Sequence, residues 1–173
     1  MSNEDRADQI MAAWKRVRPD LDPSSVAIVT RVWHLARVLG AERRRLLAAH
    51  GVDPALMDLL GALRRSDPRH TLTTRELADL EGVTPAAISQ RLGRAETKGW
   101  VTREPGDERS VLVTLTDEGR DVVDEVAGAI FDRDDQLLAV LGPDRREALA
   151  DLLRHLCVDL AGDAPVDHVG RRA

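Results

Sequence analysis

LTTRELADLEGVTPAAISQRLGRAETKGWVTREPGDERSVLVTLT, residues 72–116, is the stretch whose reading decides the fold. Thr73 with Glu76 three positions on forms a capping box, so a helix starts there and Leu77 and Ala78 begin its buried face. Glu81-Gly82-Val83 is a turn, with Gly82 supplying a backbone conformation that branched residues resist. Thr84 caps a second helix with Pro85 at its first position, where a missing N–H costs nothing. That helix runs to Lys98 and stops at Gly99, a glycine behind a cationic last turn. Two short helices across a tight turn are a helix-turn-helix, whose second helix usually enters the DNA major groove. Val101–Arg103 and Val111–Leu115 then read as two strands separated by Pro105-Gly106-Asp107-Glu108-Arg109, and a short strand near Leu72 precedes the motif. The unit is therefore expected to be winged, with a charged hairpin tip able to reach a narrow, negative minor groove.

Outward from this centre, apolar spacing predicts helices on both sides. Residues 5–18 place Ile10, Trp14 and Val17 on one stripe, and Pro19 ends that helix. Asp22-Pro23 opens a long helix, 23–50, with Val26, Val29, Trp33, Ala36 and Leu39 or Gly40 on its expected buried side. Asp53-Pro54 caps a third helix with Leu56, Leu59, Leu60 and Leu63 inward. After the hairpin, Thr116 caps a helix reaching towards Leu141, with Val122, Val126, Ala129 and Ile130 expected inside. Gly142-Pro143 breaks it, and Asp144–Ala161 forms a last helix bearing Leu149, Leu152, Leu153, Leu156 and Leu160. The Gly/Pro/charge-rich tail, 162–173, is expected to be disordered.

With 173 residues and 43 % apolar content, the chain suits one domain with a Leu/Val/Ala core. The aromatics are Trp14, Trp33, Trp100 and Phe131 only. No apolar run is long enough to span a bilayer and no signal-peptide pattern opens the chain, so a cytoplasmic protein without membrane partners is expected. One cysteine, Cys157, allows no intrachain disulfide; it shares a helix stripe with Leu153 and Leu160, which favours a buried, inert thiol. The net charge of −5 is uneven: residues 116–173 carry 14 acidic against 7 basic groups, whereas residues 71–115 carry 7 against 6. Acidity of this kind argues against general coating of DNA, not against specific binding.

On the second helix of the motif, a rotation of roughly 100° per residue puts Ile88, Leu92 and Ala95 in the core. Thr84, Ala86, Ser89, Gln90, Arg94 and Lys98 fall elsewhere, as candidates for DNA contact. Gln90 suits adenine, Arg94 guanine or phosphate, and Ser89 either. Arg103, Asp107 and Arg109 extend the set into the wing. The alternative for each is a solvated polar face. Gly93, costly mid-helix, marks a possible close approach. Arg91 is anomalous because it falls between Ile88 and Ala95, where an unpaired charge is expensive; it either snorkels or has an anionic partner. Asp58 is a lone acid in the leucine-rich third helix, facing away from the Leu56/Leu60/Leu63 stripe. The five histidines lack metal-ligand spacing, and Asp132, Asp134 and Asp135 lack a calcium loop's glycine and terminal Glu. Neither a phosphate-binding glycine motif nor a serine nucleophile elbow is present, so no cofactor, metal or catalytic site is expected.

The segment GDERSVLVTLTDEGR resembles the wing of the MarR family of bacterial transcription regulators, in which an Asp-x-Arg pair precedes the second strand and Leu-Thr-x-x-Gly starts the next helix. Asp107, Arg109, Leu115, Thr116 and Gly119 carry the match. The resemblance covers residues 23–160. It implies a mainly α, winged helix-turn-helix fold whose N- and C-terminal helices make an intertwined dimerisation hub. Residues 1–53 and 117–161 would supply the hub, and residues 54–116 the DNA-binding lobe. The implied partners are a second copy of the chain and a pseudo-palindromic operator. A narrower resemblance, to the urate-responsive, PecS-like and trans-aconitate-responsive branch, rests on Trp14 in an added N-terminal helix, Asp58 in Met-Asp-Leu-Leu and Arg91 in Ser-Gln-Arg-Leu. It implies an effector site of Trp14, Asp58 and Arg91 for a small anionic metabolite, urate or a purine, citrate or trans-aconitate. A fourth position, asparagine in the urate responders, is Ser66 here. The other readings are a hydrophobic anchor at Trp14 with a structural Asp58–Arg91 pair, an effector-blind architectural DNA binder, and an enzyme using a winged segment to dimerise.

Overall fold

The helix starts read from single residues are the ones the backbone uses. In a computed structural model, which describes residues 4–66, 68–107 and 110–161, the order is α1 (Arg6–Val17), α2 (Ser24–Ala49), α3 (Pro54–Arg65), β1 (Thr71–Thr73), α4 (Thr74–Glu81), α5 (Pro85–Thr97), β2 (Val101–Pro105), β3 (Val111–Leu115), α6 (Asp117–Leu138) and α7 (Pro143–Ala161). Asp53, Thr73, Thr84 and Thr116 cap α3, α4, α5 and α6, each accepting a bond from a first-turn N–H. Gly82 at φ 58° and Gly99 at φ 74° close α4 and α5 in the left-handed region. Arg109 and the tail 162–173 lie outside the described residues. Among those described, no single helix is long and apolar enough to cross a membrane.

The chain divides between Arg43 and Arg44 into two compact units. In the first, Asp5 caps α1 and its carboxylate also accepts from Arg31 of α2, Nε to Oδ2 at 2.7 Å. Arg31 Nη2 reaches Asp8 Oδ2 at 2.9 Å. These bonds, Arg31's foremost, hold the Asp5 carboxyl down to about 2, so the pairing persists at any pH above the ordinary carboxylate range. The expected buried side of α2 is not covered in the single chain. Val29, Trp33, Ala36 and Leu39 are exposed, Trp33 by 74 %, and only Gly40 of that series is buried. Periodicity identified the apolar side of the helix correctly but not what covers it.

In the second unit the core is built on α3. Leu56, Leu59, Leu60 and Leu63 are fully buried against Leu77 of α4, Ile88 and Leu92 of α5, Val113 and Leu115 of β3, and Val126 of α6. The sheet is antiparallel in the order β1-β3-β2, with Leu72 opposite Val113 and Val101 opposite Leu115. Arg64 of α3 clamps Asp124 of α6 through two bonds, 2.8 and 3.0 Å, which hold the Asp124 carboxyl below the usual range. On α6 the inward residue is Val123 rather than Val122, which is half-buried. Arg146 ties α7 to α6 through Asp135 at 2.9 Å and the Leu138 carbonyl at 3.1 Å. The leucines of α7 are exposed, Leu152 by 64 %, and Cys157, expected inside, is exposed with them.

Gly119 shows why the start of α6 admits no side chain. Its N–H is bonded to Thr116 Oγ1, which in turn donates to the Gly99 carbonyl at 2.8 Å. A Cβ at 119 would collide with the Trp100 carbonyl oxygen, a backbone atom that cannot swing aside. Gly119→Ala is therefore expected to destabilise the chain by about 1–3 kcal/mol, read as a lowered urea midpoint with an unchanged m-value.

Candidate functional site

The front of α5 carries what helical spacing placed there. Thr84, Ala86, Ser89 and Gln90 are exposed, and Ile88, Arg91, Leu92 and Ala95 are buried behind them. The α4 capping box (Glu76 N–H to Thr73 Oγ1 at 3.1 Å, Thr73 N–H to Glu76 Oε2 at 2.7 Å) and the Gly82 turn fix the approach to this helix. The cations around it are engaged. Arg94 Nη1 donates to Asp53 Oδ2 at 2.5 Å, and Arg103 pairs with Glu96. Lys98 Nζ stands 4.5 Å above the Trp100 ring and 3.5 Å from the Gly51 carbonyl. Asp107 is exposed at the wing tip. Around Gly93 a side chain would meet nothing within 4 Å, so the close approach suspected there is to no group among the described residues. Instead Gly93 borders an open depression of about 440 Å³ with Gln90, Arg94, Thr97, Gly51 and Asp53.

Behind α5 the structure resolves the Arg91 anomaly. Arg91 is 7 % exposed, and its guanidinium pairs with Glu81, the last residue of α4, itself 5 % exposed. A buried guanidinium demands such a partner, since an isolated charge there would cost several kcal/mol. Sequence pattern places Glu81 in the turn and not among the candidate site residues. The signal for it was present: Leu77, Ala78 and Glu81 stand at helical spacing on one face, and all three are buried.

Glu81 also lines a cavity of about 240 Å³ with Asp58, Ala62, Arg65, Ser66, Leu72 and Leu80. The structure thus brings Asp58 and Ser66 together on one wall, with Glu81 joining them to Arg91, which is not itself on the cavity surface. Ser66 Oγ donates to the Leu63 carbonyl at 2.7 Å. Trp14 sits on α1, in the other unit, and is 48 % exposed.

Residues 50–110 match the model of the MarR family. Among solved structures, the chain is similar to Sco3205 of Streptomyces coelicolor, a MarR family transcriptional regulator crystallised in complex with DNA. The two are 30 % identical, over 82 % of this chain and 93 % of that one, with a TM-score of 0.65. The chain belongs to the MarR family. It is a winged helix-turn-helix transcription regulator, a DNA-binding protein. Wild-type MarR of E. coli superposes with a TM-score of 0.64 at 26 % identity, covering 74 % of this chain and 95 % of its own. The transcriptional regulator PecS of Dickeya dadantii is 24 % identical over 146 residues, 83 % of this chain and 88 % of PecS. In MarR terms, α5 is the recognition helix and β2–β3 the wing.

The Glu81–Arg91 pair joins the two helices of the motif, so breaking it from one side strands a buried charge. Glu81→Ala is expected to lower stability by about 3–5 kcal/mol. Glu81→Leu combined with Arg91→Met should recover most of that loss, the non-additivity being measured by chemical denaturation of the two single variants and the double.

Proposed function

We propose that this MarR protein acts as a homodimer on a pseudo-palindromic operator and is released from it by a small anionic metabolite. The observation that carries the reading is the two-sidedness of α5. Its front offers small and polar side chains to a groove, and its back holds a buried cation connected through Glu81 to a cavity. A ligand acting on the back can therefore move the front.

The dimer reading rests on the apolar faces of α2 and α7. Val29, Trp33 and Leu39 on one helix and Leu149, Leu152, Leu153, Leu156 and Leu160 on the other are more apolar surface than a lone chain leaves in water. A second copy covers such faces by presenting the same faces back. In this reading residues 1–53 and 117–161 make the hub and residues 54–116 each DNA lobe, in a cytoplasmic protein. Removing residues 144–173 is expected to give monomers or aggregates in size-exclusion chromatography with light scattering. A stable, DNA-binding monomer would place the hub elsewhere.

For DNA, Ala86, Ser89 and Gln90 meet base edges, while Thr84, Arg94, Lys98, Arg103 and Arg109 position the lobe on phosphates or in the minor groove, and Asp107 belongs to the interface as the acidic member of the wing's Asp-x-Arg pair. Arg109→Ala is expected to weaken operator binding and to reduce the slope of log affinity against log salt by about 1, with the dimer intact. An unchanged affinity in mobility shifts at moderate salt would remove the wing from the interface.

The effector site comprises Trp14, Asp58, Ser66 and Arg91, for a ligand of the urate or purine type, or of the citrate or trans-aconitate type. Its supports are the shared wall of Asp58 and Ser66 and the burial of Arg91 directly behind the recognition helix. Release needs the ligand to prefer the non-binding state, by about 1–3 kcal/mol in typical coupled systems. Arg91→Ala and Trp14→Ala should blunt release of the protein's own upstream DNA by the metabolite. Asp58→Asn, which removes a repulsion, should leave ligand binding but uncouple it from release. Wild-type responses from all three variants would put the site elsewhere.

A further inference from the structure

Gly93 stands in the middle of α5, and its backbone is helical. Glycine is less favourable there than alanine, because the helix must order a residue that has no side chain to restrict it. Gly82 and Gly99 are required by left-handed turns, and Gly119 by the close Trp100 carbonyl. Among the described residues no such requirement exists at Gly93, where an added Cβ would meet nothing within 4 Å. Its place on the helix supplies a reason. At roughly 100° per residue, Ala86, Gln90, Gly93 and Thr97 form one line opposite the buried Ile88, Leu92 and Ala95. Ala86, Gln90 and Thr97 are exposed, so the line dips where the side chain is missing. That dip opens into the depression of about 440 Å³ that reaches the start of α3 and is lined by two cations, Arg94 and Lys98. Arg94 Nη1 already holds an anionic oxygen there, Asp53 Oδ2 at 2.5 Å, while Asp53 Oδ1 caps α3 through the Leu56 N–H at 3.1 Å.

We infer that the dip at Gly93 receives the sugar-phosphate backbone of one operator strand, which crosses α5 in contact with the helix main chain between Gln90 and Thr97. This rests on the reading above in which the front of α5 faces the duplex. A helix whose first turns read bases meets the strand at the groove's edge further along. Gly93 lies about 10 Å beyond Ala86 at 1.5 Å per residue, close to the roughly 12 Å width of the major groove. The charges suit a phosphate as well. Asp53 and Arg94 are both exposed, so the carboxylate oxygen on Arg94 exchanges for a phosphate oxygen at little cost. Thr97 donates its hydroxyl proton to the Gly93 carbonyl at 2.8 Å, so in this line it offers a base lone pairs but no donor. What Gly93 supplies is distance. Any side chain at 93 holds the strand off the helix, and the Gln90 contacts one turn earlier lengthen with it. Gly93 is thus a positioning residue that sets how deeply the reading face enters the groove. Complexes with unrelated sequence, held by loose phosphate contacts, do not require that depth.

The test uses the full-length protein and an operator that it selects from a random-sequence duplex library, titrated by fluorescence anisotropy. Gly93→Ala and Gly93→Leu put good helix formers into open space, so both are expected to raise the urea midpoint. The same variants should lose operator affinity, by about tenfold for alanine and about a hundredfold for leucine, the range to which crowding of a packed contact converts. Affinity for an unrelated duplex should stay within about twofold. A solvated helix face would leave operator affinity alone. To identify the occupant, each operator phosphate is replaced in turn by a neutral methylphosphonate. One linkage per half-site should cost the wild type about tenfold and Gly93→Leu nothing further, a coupling that marks direct contact. A lowered urea midpoint would mean that the fold itself requires the glycine, and overturns the inference. Unchanged operator affinity in both variants, with Gln90→Ala weakened, overturns the role of Gly93 and leaves the reading face standing. Loss without coupling to any phosphate overturns the backbone as the occupant. If Gln90→Ala and both Gly93 variants all bind like wild type, the reading face itself is wrong and the inference falls with it.

Discussion

Four leucines on one twelve-residue helix are the constraint on which the DNA-binding unit depends. Leu56, Leu59, Leu60 and Leu63 of α3 are completely buried, and α4, α5, β3 and α6 each seat a residue against them. Each fully buried leucine removes enough apolar surface to contribute about 1.5–3 kcal/mol. Packing at interior density also transmits displacement rather than absorbing it. The angle between the two helices of the motif is therefore set by a shared platform as well as by the turn between them. Polar residues on the rim of that platform, Asp58, Arg65 and Ser66, face the cavity because the leucines occupy the opposite side of the same helix. Core and cavity wall are two faces of α3, and neither can shift without the other.

Against this apolar platform, one polar bond crosses between α4 and α5. The Glu81–Arg91 pair is a poor source of net stability, because removing both charges from water costs about as much as their attraction returns. What it does supply is direction. A leucine pair would tolerate small rotations of α5 over α4, whereas a guanidinium and a carboxylate lose most of their attraction when displaced. Glu81 Oε1, buried without a hydrogen-bond partner among the described residues, leaves the pair less than fully satisfied. A nearly balanced, directional contact at the back of a recognition helix is a suitable place for a switch, since a small added interaction decides its state.

Most of the fold was legible because its boundaries are local. Thr73 with Glu76, Asp53 with Pro54, Thr84 with Pro85, and Thr116 each announce a helix within four residues, and Gly82 and Gly99 each close one by a left-handed turn. Local pattern stops deciding where the deciding contact is not local. The pattern on α2 and α7 correctly identified an apolar face, but Trp33, Leu152 and Cys157 are uncovered in the chain itself. On α6 the inward residue before Val126 is Val123, three positions back, rather than Val122, four back, and both spacings fit one helix face, so periodicity does not choose between them. Arg91 was recognisable as a charge in the wrong place. Its partner, Glu81, lies ten residues earlier, at the edge of the turn between the two helices, where local pattern reads it as a turn residue. Asp58 and Ser66 belong to α3 and its C-cap, so their nearness is local; that Leu72, Leu80 and Glu81 close a cavity against them is a tertiary consequence that no window of sequence contains.

Charge on the DNA-facing side follows from the same economy of unpaired groups. Residues 71–115 carry almost equal numbers of acids and bases, and the structure shows where cations of that stretch are held: Arg103 on Glu96 within it, Arg94 on Asp53 outside it, and Lys98 over the Trp100 ring. Exposed pairs of this type contribute about 0–1 kcal/mol each, so a phosphate can displace the carboxylate at little cost. The displaced acid then sits beside the phosphate unless it moves away, so each exchange adds less affinity than a free arginine would. Such a surface releases few counter-ions on a random duplex and binds it weakly. On the proposed interface, discrimination then falls to groups whose contacts depend on sequence: the amide of Gln90, the hydroxyl of Ser89 and the small side chain of Ala86, which admits a thymine methyl. These sit on the turns of α5 opposite Ile88, Arg91 and Ala95. A rotation of the helix about its buried face therefore misaligns the specific contacts first, and the weak phosphate contacts that remain cannot hold the protein on its site.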